Sequence, residues 1–107
     1  MPGGREDDAR AFYEGVLGVA EVPKPPELAS RGGCWFRSGQ VELHLGIEEP
    51  FMPARKAHPA IVVDDLDAIR GRLDAAGADV ADDVPLEGHS RIHTADPFGN
   101  RLELLQA

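Results

Sequence analysis

The feature that most constrains this chain is a turn followed by a short apolar strand that carries one glutamate, and it occurs twice. Residues 96–100, Asp-Pro-Phe-Gly-Asn, precede the segment 101–105, and a glycine-containing turn precedes the segment 41–45. The two embedded carboxylates, Glu42 and Glu103, are 61 residues apart. A carboxylate in such a strand is costly unless it faces water, a partner or a metal. Both positions are therefore candidates for chemistry.

The helical segments repeat with nearly the same spacing. Residues 7–17 and 65–76 each show apolar side chains at helical intervals and are each followed by a glycine. Their acidic starts, Asp7 and Asp64, are 57 residues apart. A period near 60 that occurs only twice indicates two copies of one α/β module, because a solenoid needs three or more repeats.

These patterns predict an α+β fold made of two βαβββ modules, the first at residues 1–50 and the second at 57–107. Module two has all of its elements, whereas module one has no first strand, because the position 57 residues before His58 is Met1 and residues 1–6 are polar and glycine-rich. We expect either that the chain was truncated or that its start was assigned at an internal methionine. The predicted helices are 7–17, with Asp7 or Asp8 as N-cap, and 65–76; the predicted strands are 20–22, 33–38, 41–47, 58–63, 80–84, 90–95 and 101–105.

Composition limits the class of protein. A chain of 107 residues is expected to form one domain, 1–107. Its single cysteine, Cys34, excludes an internal disulfide and favours a reducing, cytoplasmic location, and no apolar run is long enough to be a signal peptide or a membrane span. A net charge of −8 disfavours nucleic-acid and anionic-membrane partners. It permits a cationic ligand, although ordinary acidic solubility explains it as well.

Several residues have the types and spacing of metal ligands. His58 begins the first strand of module two and Glu103 lies on the last, while Glu42 and His44 share a strand face by their i, i+2 spacing. Imidazole and carboxylate groups together suit a borderline divalent metal. The alternative is that the glutamates are solvated and that His58, which precedes a proline, is a surface or capping residue.

Three segments in order, 11–18 (AFYEGVLG), 58–65 (HPAIVVDD) and 96–103 (DPFGNRLE), resemble the vicinal oxygen chelate superfamily. That group includes glyoxalase I, bleomycin-resistance proteins, fosfomycin-resistance enzymes, methylmalonyl-CoA epimerase and extradiol dioxygenases. The resemblance covers nearly the whole chain and does not distinguish among the members. It implies paired βαβββ modules whose curled mixed sheets form an open cleft.

The resemblance also implies a ligand set, because metal-dependent members take ligands from the first and last strands of each module. By position, His58 and Glu103 match the ligands of module two, and Glu42 matches the last-strand ligand of module one, with His44 as a substitute. The fourth ligand would lie on the absent strand. The implied cofactor is a divalent ion (Zn, Ni, Fe or Mn), and Glu42 is also the candidate catalytic base. Candidate substrate-binding residues are Trp35, Phe36 and His93, although Trp35 or Phe36 could instead belong to the core.

We therefore expect a cytoplasmic, metal-dependent lyase, isomerase or dioxygenase that acts on a small molecule. The alternative is a metal-free protein that binds and sequesters a drug, as bleomycin-resistance proteins do. A third interpretation is an inactive remnant, since one strand is missing. Members of the superfamily commonly build their clefts from modules of two subunits, and the missing strand leaves edge backbone groups unpaired. We therefore expect a homodimer.

Overall fold

A computed structural model describes all residues of the chain, 1–107. The chain divides into two compact units, Met1–Met52 and Pro53–Ala107. No helix is both long enough and apolar enough to cross a bilayer.

The first unit has two short helices and an antiparallel sheet of order β1-β2-β3. Its elements are α1 (Glu6–Arg10), a π-helical segment (Ala11–Val16), β1 (Ala20–Val22), α2 (Pro26–Ala29), β2 (Cys34–Ser38) and β3 (Val41–Leu45). Alternation along β2 buries Cys34 and Phe36 and turns Trp35 and Arg37 to the opposite face. The buried face packs against the helical segment, where Tyr13 lies 5.3 Å from Phe36 between ring centroids.

Several local predictions for this unit are corrected. Asp7 and Asp8 are not the N-cap: the helix begins at Glu6 after Arg5, which makes no capping hydrogen bond, and both aspartates lie in the first turn. Acidic side chains there still stabilise the helix, because they face its positive end. The single helix predicted over 7–17 is a short α-helix followed by a π-helical segment, and α2 was not predicted.

No strand precedes α1, as expected. Met1 makes two hydrogen bonds to the segment that follows β3: its ammonium donates to the Gly46 carbonyl at 2.8 Å and its carbonyl accepts from the Glu48 amide at 2.9 Å.

The second unit has the βαβββ order that the sequence predicts. Its elements are β4 (Ala60–Val63), α3 (Leu66–Ala75), β5 (Val80–Asp82), β6 (Arg91–Ala95) and β7 (Arg101–Gln106). The sheet order is β4-β7-β6-β5, with β4 parallel to β7 and the other pairs antiparallel. The buried apolar side chains of its helix and strands are Ile61, Leu66, Ile69, Leu73, Ile92, Leu102 and Leu104. They place the core on the sheet face that α3 covers and leave the opposite face for polar side chains.

The turn between β6 and β7 fixes the register of these strands. The buried Asp96 accepts hydrogen bonds from the backbone amides of Phe98 and Asn100, both at 2.9 Å, and from the Asn100 side chain at 2.7 Å. Gly99 has φ of +89°, which glycine adopts without strain. This turn sets His93 directly opposite Glu103. The predicted α+β class with αβββ and βαβββ units is confirmed.

Candidate metal-binding site

Strand pairing in the second unit brings three potential metal ligands to one face of the sheet. Glu103, on the central strand β7, pairs with Ala60 of β4 on one side and with His93 of β6 on the other. His58 lies two residues before Ala60 and therefore points to the same face. Leu102 and Leu104 point to the core on the opposite face. Alternation along β7 thus places Glu103 on the face opposite the core.

The ligand atoms of these three residues lie within 4.8 Å of one another. His58 Nε2 is 3.1 Å and His93 Nε2 is 4.0 Å from the same Glu103 oxygen, Oε1. Ligand bonds of about 2.0–2.2 Å in tetrahedral geometry separate ligand atoms by roughly 3.4 Å. The observed spacing is therefore close to that of a bound divalent ion.

The ring of His58 is held at both of its nitrogens. Its Nδ1 lies 2.8 Å from the Lys56 carbonyl, which only accepts, so Nδ1 carries the proton. In the neutral ring Nε2 is then an acceptor, yet it faces the carboxylate oxygen of Glu103. Two acceptors at 3.1 Å require either a proton or a cation between them. A histidine whose distal nitrogen donates to a carbonyl is also the usual arrangement around metal ligands.

Glu103 is ionised in this setting although only 6 % of its surface is exposed. His58, whose Nε2 lies 3.1 Å from Oε1, lowers the pKa of the Glu103 carboxyl, and the nearby Arg91 and His93 lower that pKa further. Arg91 NH1 lies 3.2 Å from Oε1, and the Arg91 side chain is itself largely buried. A buried anion next to two imidazoles is a suitable donor set for a metal, and here it also has an arginine partner.

His93 is incompletely satisfied. Its Nε2 lies 3.0 Å from Asp83 Oδ2, and its Nδ1 is buried without a hydrogen-bond partner. The backbone amide of Val84 lowers the pKa of Asp83, with a further contribution from His93, so Asp83 is an anion at neutral pH. Buried polar atoms without partners are rare in proteins and often mark functional sites. The residues present therefore fit a divalent ion.

The candidate residues of module one form a separate cluster on the exposed face of the first sheet. Arg37 pairs with Glu42 at 2.9 Å and lowers the pKa of the Glu42 carboxyl. His44 lies 3.6 Å from the same carboxylate oxygen and stacks on Trp35, with ring centroids 3.7 Å apart and planes at 3°. Glu42 and His44 do not belong to the group of His58, His93 and Glu103. That Glu42 or His44 binds the same metal ion as these three residues stays a prediction.

The three residues expected to contact substrate have different surroundings. Phe36 is fully buried in the core of the first unit, where β2 alternation turns it towards Tyr13, in line with the alternative that it belongs to the core. Trp35 is half-buried on the opposite face of that strand. His93 faces Glu103 and joins the potential metal ligands.

Sequence reasoning missed two residues of this cluster, Arg91 and Asp83. Arg91 lies two residues before His93 on the same strand and so shares its face, which was the available sequence signal. Asp83 follows β5, and no sequence pattern indicated that its side chain reaches His93 and Arg91.

Comparison with known families identifies the class of protein. A family model described as a glyoxalase-like domain matches residues 5–105, so the chain belongs to the glyoxalase-like domain family, within the vicinal oxygen chelate superfamily. Among curated proteins, none matches the sequence at a significant level.

Solved structures show the same fold. A glyoxalase family protein of Bacillus anthracis is 45 % identical, with a TM-score of 0.92 over 99 % of this chain and 87 % of that one. A lactoylglutathione lyase of Agrobacterium tumefaciens is 23 % identical, with a TM-score of 0.71 over 100 % of this chain and 89 % of its own. TnmS3, an antibiotic binding protein of Streptomyces sp. CB03234, is 24 % identical, with a TM-score of 0.75 over 99 % of this chain and 89 % of its own. The last two show likeness of fold alone.

Proposed function

We propose that this protein binds a divalent metal ion through His58, His93 and Glu103 and acts on a small molecule as a metal-dependent lyase, isomerase or dioxygenase. The observation that carries the proposal is the contact of His58 Nε2 with Glu103 Oε1 while Nδ1 is committed to the Lys56 carbonyl. A cation between His58 Nε2 and Glu103 Oε1 would satisfy both facing acceptors and the carboxylate charge together. Bound there, a divalent ion would polarise oxygen atoms of the ligand.

Each residue of the candidate site has a defined part in this proposal. The Lys56 carbonyl fixes the His58 ring, Glu103 supplies the negative charge, and His93 supplies the third donor. Glu42 is the proposed base. Arg37 keeps that carboxylate deprotonated, which is the state a base requires, although the same ion pair makes it a weaker one.

The test is calorimetric titration of the metal-free protein with Ni²⁺, Zn²⁺, Mn²⁺ and, without oxygen, Fe²⁺. We expect one site, and we expect His58→Ala to weaken binding by at least about 100-fold, since even loss of a supporting residue often costs 10–100-fold. His89→Ala is the matched control, because His89 lies in the same unit and is exposed, with its Nδ1 on the Gln106 carbonyl. If the wild type binds no metal, or if His58→Ala binds as tightly as His89→Ala, the metal proposal is refuted.

A metal-free drug-binding function is the second candidate, and one observation favours it. Arg91 already pairs with Glu103 at 3.2 Å, so the carboxylate has a positive partner without a metal. The stacked pair of Trp35 and His44 also offers a flat, partly exposed aromatic surface. Because Trp35 is the single tryptophan, its fluorescence reports binding directly. Quenching on titration of chelator-treated protein with a cationic glycopeptide antibiotic, unaffected by added metal, would favour this function.

We also propose that the protein is a cytoplasmic homodimer. The reduced Cys34 is the reason for the location. The reason for the dimer is β4, an edge strand of its sheet on which Val62 is 62 % exposed.

A further inference from the structure

The outer edge of β3 carries backbone groups that no other part of the chain pairs. β3 is an edge strand of the sheet β1-β2-β3. Just after β3, Met1 bonds to the Gly46 carbonyl and the Glu48 amide, so the even-numbered residues of this segment face away from β2. Because this direction alternates along a strand, Glu42 and His44 present their N–H and C=O groups at the same outer edge. Neither residue makes a backbone hydrogen bond there.

This edge also lacks the features that usually keep edge strands apart. Such strands are commonly protected by a proline, a lysine or a β-bulge. β3 contains no proline or lysine and pairs with β2 residue for residue, without a bulge. Its apolar side chains, Val41, Leu43 and Leu45, are only half-buried. β3 is therefore an exposed template on which another strand can pair.

The sequence of β3 is complementary to itself when two copies run antiparallel. Hydrogen bonds then join residues that both face the outer edge, so the twofold axis passes through Glu42, Leu43 or His44. An axis at Glu42 sets two carboxylates directly opposite each other, which is unfavourable. An axis at His44 sets Glu42 opposite the partner's Gly46, whose carbonyl already accepts from Met1. An axis at Leu43 instead sets each Glu42 opposite the partner's His44.

Both faces of the pairing about Leu43 are favourable. On the core side, Leu43 meets the partner's Leu43 and Val41 meets the partner's Leu45, so that half-buried apolar side chains lose further contact with water. On the opposite side, two carboxylate–imidazole pairs form between the copies, and His44 keeps its stack on Trp35. This register therefore satisfies the backbone groups, the apolar side chains and the charges together.

We infer that β3 pairs antiparallel with β3 of a second copy, about a twofold axis at Leu43. This inference deepens the proposed homodimer, on which it rests, by naming its interface. The two sheets of order β1-β2-β3 become one continuous sheet in the dimer, and Met1 lies beyond the end of the paired segment. The stacked Trp35 and His44 of both copies then share one exposed face, so a flat ligand meets two aromatic surfaces at once.

Proline substitution tests which edge strand forms the dimer. His44→Pro removes an N–H that faces outward and so leaves the pairing of β2 with β3 intact. Val62→Pro is the matched control on β4: the Pro59 and Val63 carbonyls accept from β7 and the residue after it, so the Val62 N–H also faces outward. In sedimentation equilibrium, His44→Pro should weaken dimerisation by at least about tenfold, whereas Val62→Pro should change it by less than about twofold.

A second substitution at position 44 separates the backbone group from the imidazole. His44→Val keeps the N–H and suits a strand, but it removes the contact with the partner's Glu42. It should weaken dimerisation by only a few-fold, clearly less than His44→Pro. Equal effects of the two substitutions would contradict pairing through the backbone and overturn the inference.

Disulfide formation tests the register without proline. Glu42→Cys and His44→Cys proteins, one of them carrying a mass tag, are mixed and oxidised. In the inferred register, positions 42 and 44 of the two copies are directly opposite, with Cα atoms about 5.5 Å apart, which a disulfide can span. Two copies of the same variant place their thiols diagonally, about 7–8 Å apart. The mixed product should therefore form faster than either product of one variant. Wild type is the control, because its only thiol, Cys34, is buried.

The outcomes distinguish the interface from the homodimer itself. A wild-type protein that stays monomeric at all concentrations refutes the homodimer and this inference with it. A dimer that persists in His44→Pro but dissociates in Val62→Pro overturns only the inference, because the copies then pair through β4. Mixed disulfides that form no faster than those of one variant also overturn it. If His44→Pro does not fold, the disulfide result decides alone.

Discussion

Replacing Glu103 by glutamine tests both the electrostatics and the metal site with one isosteric change. Glutamine keeps the shape and an acceptor but removes the charge that His58 and Arg91 contact through Oε1. Hydrogen bonds to a charged group contribute about 1.5–3 kcal/mol and neutral ones about 0.5–1.5 kcal/mol. In the metal-free protein, Glu103→Gln should therefore lower the free energy of unfolding by about 1 kcal/mol at pH 7.

Metal should widen this difference. An ion present at 100 times its dissociation constant stabilises the wild type by about 2.7 kcal/mol, whereas the glutamine variant should gain little. The gap between the two proteins should thus grow to roughly 3–4 kcal/mol. Urea denaturation with chelator and with Ni²⁺ measures both values. Glu87→Gln is the control, because Glu87 lies in an exposed turn of the same unit, and it should stay within about 0.5 kcal/mol of wild type.

Acid should reduce the difference in free energy of unfolding between the metal-free wild type and the metal-free Glu103→Gln variant. The pKa of Glu103 is lower in the folded protein than in the unfolded chain, so the stabilising charge is fully present above the unfolded value. It is lost as pH falls through the lower folded value. If the two metal-free proteins have equal stability at pH 7, or if their difference in stability is unchanged at pH 3, the account of the Glu103 contacts is refuted. If metal does not increase the difference in stability between the two proteins, the role of Glu103 as a metal ligand is refuted.

Three further predictions concern the rest of the chain. Gly33→Ala should lower the free energy of unfolding by at least about 2 kcal/mol in urea denaturation, because the φ of Gly33 is +81° and an added Cβ would lie 2.0 Å from the Leu45 carbonyl oxygen. Gly71→Ala is the control and should be neutral or stabilising, because Gly71 lies in a helix with open space around it, and equal effects of the two changes would contradict this reasoning. Burial raises the pKa of the Cys34 thiol, so the native protein should react with a thiol reagent far more slowly than the unfolded chain at pH 8, and equal rates would show that the site is open. Light scattering at tens of micromolar should give the mass of a dimer, and a monomer alone would refute that proposal.

Local patterns in the sequence were enough to predict the second unit. The spacing of Leu66, Ile69 and Leu73 fixes the buried face of α3, and the alternation around Glu103 fixes which β7 side chains leave the core. The first unit was less predictable. Arg5 gives no capping signal, and the switch from α-helix to a π-helical segment at Ala11 leaves no mark in the apolar spacing. That the chain forms one domain stays a prediction.

The sequence by itself also determined that His58 and Glu103 were candidate ligands, because a glutamate within an apolar strand and a histidine at a strand start can be recognised locally. Only the tertiary structure decided which residues join them. Strand order places β7 between β4 and β6, and the β6–β7 register sets His93, and not Thr94, beside Glu103. Arg91 joins the cluster through the same register. Pairing between strands is a non-local choice that a period of two along one strand cannot specify, and the charges around Glu103 follow from it.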